Sequence, residues 1–102
     1  MGLYNPPIKG AAFSLRISLA DANVPASFKA SPAISAGDFK IDKDGGGLNN
    51  LATLPVVSPA ASALVQISLS ATEMTADVVT IVGISQTSPK PWADFVLSIP
   101  TA

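Results

Sequence analysis

The chain has 102 residues, a formal net charge of −1 and 13% charged residues, about half the ~25% of an average soluble domain. This length fits one domain and excludes two, because a domain much smaller than about 50 residues cannot readily bury a core. Neither Cys nor His occurs, which excludes disulfides, thiolate nucleophiles and Cys-based zinc sites, and removes the commonest general base and metal ligand.

The distribution of charge and hydropathy argues against two classes of partner. The six basic and seven acidic residues are scattered singly along the chain, which predicts no surface for the phosphate backbone of a nucleic acid. No run of about 18 apolar residues occurs, so we expect no transmembrane helix and no membrane partner. With so few charges, much of the surface must consist of small polar residues or be covered by a partner protein.

Residues 1–12 are predicted to form an extended N-terminal arm or an edge strand, ahead of a single domain over residues 13–102. The arm contains a Pro-Pro pair, and proline lacks the N–H that a sheet ladder needs. Terminal segments are usually polar. This apolar one is therefore expected either to close the protein's own sheet or to add to a neighbour's. Its apolar side chains, Leu3, Tyr4 and Ile8, are candidate partner-contact residues.

The next stretch, residues 13–20, alternates apolar with polar side chains. This period of two predicts a half-buried strand. Residues 23–35 contain two prolines and predict an irregular or weakly extended connection. Phe28 is expected to point inward from this connection as an anchor.

A β-hairpin is predicted around a glycine-rich turn. Residues 38–43 alternate charged with apolar side chains, so the charged side is expected to face water. Residues 44–47 tolerate the positive φ of a tight turn, and residues 48–54 form the returning strand.

The same turn resembles the opening of a calcium loop, because it contains Asp42-x-Asp44-Gly45. A loop of that kind ends in a bidentate Glu, and Thr53 stands at the corresponding position. The motif is therefore interpreted as a hairpin turn with solvated charges, and no metal site is predicted.

Residues 63–69 are predicted to form another strand, followed by one helical turn near residues 70–75. Ser70-Ala71-Thr72-Glu73 matches a capping box, in which the Ser70 hydroxyl accepts the Glu73 N–H and the Glu73 carboxylate accepts the Ser70 N–H. Residues 77–83 are apolar on both faces, which predicts a central strand.

The last predicted strand covers residues 92–99 and follows a loop over residues 85–91. At its start, Lys90-Pro91-Trp92 places the only tryptophan beside a cation. Trp92 is a candidate partner-contact residue, as a platform for a carbohydrate or a peptide. Alternatively, Trp92 covers the end of the folded domain.

Six or seven short strands with one helical turn predict an all-β fold, an immunoglobulin-like antiparallel β-sandwich. No pattern in the sequence indicates catalysis. Without His, a Ser–Lys pair is the main remaining way to activate a serine nucleophile, but the motif Ser-x-x-Lys does not occur. Residues 87–90 have the same spacing with Thr in place of Ser. We therefore expect no enzyme, no catalytic residue and no cofactor.

Four segments carry a resemblance to a known class of proteins. They are Leu-Tyr-Asn-Pro-Pro-Ile-Lys-Gly at residues 3–10, Ala-Gly-Asp-Phe-Lys-Ile-x-Lys-Asp-Gly-Gly at 36–46, Asn-Leu-Ala-Thr-Leu-Pro at 50–55 and Leu-Ser-Ala-Thr-Glu-Met at 69–74. With these segments the chain resembles small virion proteins of tailed bacteriophages. The resemblance implies a structural protein located in the virion.

The first expectation from this resemblance is a head decoration (cement) protein that binds the major capsid protein and stabilises the shell as a homo-oligomer. One alternative is an adaptor that binds neck, tail or baseplate proteins and seats a fibre. Another is a carbohydrate-binding module that works through Trp92.

Overall fold

A computed structural model describes residues 7–24 and 26–101, and within them the chain forms seven strands and no helix. The strands are β1 (Phe13–Ser18), β2 (Phe39–Lys43), β3 (Leu48–Asn50), β4 (Val56–Val57), β5 (Leu64–Leu69), β6 (Val78–Gly83) and β7 (Phe95–Pro100). They form a three-stranded sheet of order β1-β5-β4 and a four-stranded sheet of order β3-β2-β6-β7. All pairings are antiparallel. The predicted all-β, antiparallel class is confirmed.

The chain passes repeatedly between the two sheets. It runs from β1 to the β2–β3 hairpin in the other sheet, returns for β4 and β5, and crosses again to β6 and β7. As a result β1 pairs with β5, and β2 pairs with β6. Strands that are far apart in sequence therefore meet in both sheets, so neither sheet can form from one continuous stretch of chain.

A single core lies between the sheets, because alternate side chains of each strand point to the same side. Val65, Ile67 and Leu69 point inward from β5 and are at most 2% exposed. The other buried apolar residues of this core are Leu19, Phe39, Ile41, Met74, Ala76, Val79, Ile81, Trp92 and Ile99. Both sheets and their connections thus contribute to the same core.

The predicted strands are present with slightly different bounds. One of them is much shorter than predicted, and one further strand is not predicted. The strand predicted to return from the hairpin over residues 48–54 ends early, at Asn50. The two-residue strand β4 is not predicted at all, because Val56 and Val57 lie between two prolines in a run too short to show a period. The predicted central strand is confirmed, since β6 lies between β2 and β7.

The helical turn predicted near residues 70–75 is wrong, although the capping box within it is confirmed. The Ser70 Oγ accepts the Glu73 N–H at 3.1 Å, and the Glu73 Oε1 accepts the Ser70 N–H at 2.9 Å. Residues 71–74 form a turn, not a helix. Met74 and Ala76 are both buried, and the Ala76 N–H donates to the Met74 carbonyl at 2.9 Å, a bond over two residues that ends the turn before a helix can continue.

Phe28 does not point inward as predicted, because its side chain is 66% exposed. Phe28 and Ala20 face each other across an isolated bridge, and directly opposed residues share one face of a sheet. Leu19 is buried in the core, so the next residue, Ala20, points away from the core. Phe28 points outward with it.

The Ile67→Ala substitution is expected to lower the free energy of unfolding by about 2–5 kcal/mol, because it leaves a cavity at a fully buried site of β5. Urea denaturation followed by circular dichroism measures the loss. Leu64→Ala on the same strand is the control, since Leu64 is 39% exposed and should cost much less. Equal losses for the two variants would contradict the burial described for β5.

Candidate partner-contact site

Residues 70–77, which we call the crossing segment, connect β5 of one sheet to β6 of the other. Glu73 attaches this segment to the chain that follows β3: its Oε1 accepts the Ser70 N–H, and its Oε2 accepts the Ala52 N–H at 3.0 Å. The side chain of Glu73 is buried, and a buried carboxylate needs such donors to offset the loss of water. One carboxylate therefore shapes the turn and positions it against the other sheet.

Asp44, in the β2–β3 turn, attaches the hairpin to the end of the crossing segment. Its Oδ1 accepts the Val78 N–H at 2.9 Å, and its Oδ2 accepts the Asp77 N–H at 3.2 Å. Both hydrogen bonds favour the ionised carboxylate, the one from Val78 more than the one from Asp77. They hold the pKa of Asp44 below its ordinary value of 3.8. Asp44 has a φ of 54°, a left-handed conformation that Asp adopts more readily than most residues.

Asp42 closes the hairpin turn itself. Its Oδ2 accepts the Gly45 N–H at 2.9 Å, and its Oδ1 accepts the Gly47 N–H at 2.8 Å. Gly45 and Gly47 have φ values of 81° and 116°, which require glycine. The predicted hairpin turn at the Asp42-x-Asp44 motif is present, since β2 pairs with β3. Both carboxylates accept backbone N–H groups and are not simply solvated as predicted.

The base of the N-terminal segment lies against the crossing segment. The Gly10 N–H donates to the Met74 carbonyl at 3.0 Å, and the Lys9 Nζ lies 3.0 Å from the Asp77 Oδ1. The hydrogen bond and charge of Asp77 raise the pKa of Lys9 above its ordinary value of 10.5. Both charged groups are exposed, so this ion pair contributes little stability, and the backbone hydrogen bond is the firmer attachment.

Ile8 is presented by a tight turn directly before these attachments. The Ala11 N–H donates to the Ile8 carbonyl at 3.1 Å, and Gly10 supplies the positive φ, 81°. The Ile8 side chain is 49% exposed. The other two arm residues predicted to contact a partner, Leu3 and Tyr4, lie outside the described residues.

Trp92 is fully buried, which contradicts its prediction as a partner-contact residue. Its side chain is 0% exposed, its ring centroid lies 5.4 Å from that of Phe39, and its Nε1 donates to the Ala33 carbonyl at 3.0 Å. An isolated bridge to Asp21 brings Trp92 into the core before β7 begins. A carbohydrate platform needs an accessible ring face, which Trp92 does not offer.

Asp38 is expected from the alternating pattern to face water, and the structure buries it instead. Its side chain is 1% exposed. Its Oδ2 accepts the Ser35 N–H at 2.8 Å, and its Oδ1 accepts the Gln86 N–H at 2.9 Å. The Ser-x-x-Asp spacing is a local signal for the first bond, but no local signal exists for the bond to residue 86.

The acidic side chains of this region hold turns and neighbouring segments of the chain together. Asp38, Asp42, Asp44 and Glu73 all accept backbone N–H groups. Over residues 7–24 and 26–101, no group of three or more acidic side chains lies close enough to hold a metal ion. In the same ranges no helix is long and apolar enough to cross a membrane.

No family model, no curated protein and no solved structure matches this chain.

Glu73→Ala is expected to lower the free energy of unfolding by about 1–3 kcal/mol, because it leaves the N–H groups of Ser70 and Ala52 without their acceptor. Urea denaturation measures the change. Glu73→Gln keeps one acceptor oxygen and should retain part of the stability. If both variants match the wild type, the attachment role of Glu73 is wrong.

Asp44→Asn is expected to lower the melting temperature at neutral pH, and the difference from wild type should shrink in acid. The folded-state pKa lies below 3.8, so the stabilisation is fully present above that value and is lost as the pH falls through the folded-state pKa. Thermal unfolding between about pH 7 and about pH 2 measures this. Asp94→Asn, at an exposed pair with Lys90, is the control and should have little effect. A difference that stays constant with pH for Asp44→Asn would contradict the role of its charge.

Proposed function

We propose that this protein is a non-catalytic, structural component of the virion of a tailed bacteriophage. The observation that carries the proposal is that the four segments resembling phage virion proteins are hydrogen-bonded to one another. Gly10 bonds to Met74, Ala52 bonds to Glu73, and the Lys43 Nζ donates to the Thr72 carbonyl at 3.3 Å. The resemblance therefore falls on segments that contact one another in the fold, and this supports a shared architecture.

Within the virion, we propose that the protein decorates the head as a homo-oligomer, binds the major capsid protein and stabilises the shell. The N-terminal segment makes the contact. Its base is attached at Lys9 and Gly10, which holds Ile8 at a defined place on the domain. An extended apolar segment can add to the edge of a partner's sheet, and each large apolar side chain buried there contributes about 1.5–3 kcal/mol.

We also propose that the domain is immunoglobulin-like. In such domains strands B, E and D lie in one sheet and strands C, F and G in the other, with C′ beside C in the variable type. The order β1-β5-β4 corresponds to B-E-D, and β3-β2-β6-β7 corresponds to C′-C-F-G. The crossing segment then corresponds to the connection between strands E and F.

Quantitative mass spectrometry of purified virions tests the location. A head decoration protein is expected at a copy number comparable to that of the capsid subunit. The copy number of a single ring would indicate an adaptor in the neck, tail or baseplate instead. Absence of the protein from the virion would overturn the structural proposal altogether.

Ile8→Asp is expected to reduce binding to undecorated heads strongly while leaving the fold intact, because Ile8 is exposed in the free protein and is buried only against the partner. Co-sedimentation with undecorated heads measures binding, and thermal unfolding verifies the fold. Val24→Asp is the matched control, since Val24 is 52% exposed in the loop near the opposite end of β1. If Ile8→Asp binds as well as Val24→Asp does, the N-terminal segment is not the contact.

A further inference from the structure

The edges of the two sheets run along one side of the domain, where β1 lies beside β7. At one end the Ala93 N–H donates to the Ala20 carbonyl at 2.9 Å, so the chain just before β7 pairs with the chain just after β1. At the other end Asp77 contacts both, because its carboxylate pairs with Lys9 and its carbonyl accepts the Thr101 N–H. Between these ends no Cα atom of β1 lies within 8 Å of one of β7. We call this gap the seam.

The backbone of β1 directs hydrogen-bonding groups into the seam. Successive residues of an antiparallel strand direct their N–H and C=O groups to opposite sides. The Ser58 N–H donates to the Leu64 carbonyl, so the even-numbered residues of β5 face β4 and its odd-numbered residues face β1, where their partners are also odd-numbered. The even-numbered residues of β1 therefore face the seam, and within the described residues their backbone groups make no hydrogen bond: Ser14, Arg16 and Ser18.

The core is incompletely covered along the seam. On the inner strands of the two sheets, Val65 and Ile67 of β5 and Val79 and Ile81 of β6 are 0% exposed. The inward side chains beside the seam are only partly buried, namely Phe13, Leu15 and Ile17 on β1 and Phe95 and Leu97 on β7. A further strand with an apolar side chain at every second position would cover them, because alternate side chains of a strand share one face.

Arg16 lies in the middle of this edge and pairs with no acidic side chain in the part of the chain that the structure describes. Its neighbours on the same face of the sheet are neutral: Ser14, Ser18 and, directly opposite, Gln66. A cavity of about 420 Å³ opens here, lined by Ser14, Leu15, Arg16 and Gln66. A guanidinium group binds a carboxylate through two parallel hydrogen bonds. The edge therefore has both the space and the charge for a carboxylate.

The carboxylates of this chain are all engaged elsewhere. Of its seven acidic residues, five accept backbone N–H groups: Asp21, Asp38, Asp42, Asp44 and Glu73. The other two, Asp77 and Asp94, pair with Lys9 and Lys90. Residues 1–12 contain no acidic residue, and a second copy would bring the same engaged carboxylates. The charge of Arg16 thus favours a different protein as the source of its anion.

We propose that the seam binds an extended segment of a partner protein, which adds to the edge of β1 as a further strand. The apolar side chains of this segment, at every second position, cover the partly buried residues of the core. An Asp or Glu side chain on its other face pairs with Arg16. In this mode of recognition the main-chain hydrogen bonds give affinity and the alternate side chains give specificity. The inference goes beyond the proposed function and does not depend on it.

Two synthetic peptides test the charge of the site in the purified full chain, Val-Glu-Val-Glu-Val-Glu-Val and Val-Lys-Val-Lys-Val-Lys-Val. Both have the alternation of an added strand, and fluorescence anisotropy of the labelled peptides measures their binding. The wild type should bind the acidic peptide at least roughly tenfold more tightly, because Arg16 attracts carboxylates and repels ammonium groups. Unspecific attraction would instead favour the basic peptide, since the net charge of the chain is −1. Arg16→Glu should reverse the preference.

Ser14→Pro tests the main-chain contact. Proline is tolerated on an edge strand where its N–H would face away from the sheet, so this variant should keep the fold and bind the acidic peptide at least roughly tenfold more weakly. Val57→Pro is the matched control, because Val57 pairs with Val65 on the opposite edge of the same sheet and its N–H also faces outward. Ser18→Pro replaces Ser14→Pro if that variant does not keep the wild-type circular dichroism spectrum.

Each outcome is decisive. A wild type that binds neither peptide, or both equally, overturns the inference. Equal binding of the acidic peptide by the folded edge variant and by Val57→Pro overturns it as well. If only a variant lacking residues 1–6 binds the acidic peptide, those residues compete for the seam, and the proposal of a partner segment is wrong. None of these measurements uses virions, so failure of this inference and failure of the proposed function are distinguishable.

Discussion

The two hydrogen bonds accepted by the Glu73 carboxylate hold the chain where it passes from one sheet to the other. The burial of the residues that follow, and the hydrogen bonds that reach this segment from the hairpin and from the N-terminal segment, depend on the path that these two bonds impose. Met74 and Ala76 reach the core only if the turn before them is closed. Asp44 finds its donors, and Gly10 its acceptor, only because the crossing segment lies beside the hairpin. A carboxylate can do this in a domain with few charges because its partners are backbone groups, which are available in any sequence.

The predictions that succeeded concern residues close in sequence. The reciprocal bonds of Ser70 and Glu73, the glycine turn and the central position of β6 follow from spacing and side-chain type alone. One failure is local: the helical turn predicted near residues 70–75 is absent, because the Ala76 N–H bonds back to the Met74 carbonyl and the turn ends there. Two others concern the surroundings of a side chain: the burial of Trp92 beside Phe39 and the outward direction of Phe28. Both depend on which strands become neighbours, and a periodic pattern within one strand contains no information about its neighbour. The candidate site follows the same rule, since the turn at Glu73 was predictable but its bond to residue 52 was not.

The attachment of Gly10 to the crossing segment also decides how the domain responds to mechanical load. A force applied to the N-terminal segment does not act on β1 alone. It is shared with the Met74 carbonyl, and from there it passes to the turn closed by Glu73 and to the hairpin held by Asp44. The hydrogen bond from Gly10 to Met74 must therefore break before such a force acts on β1 alone.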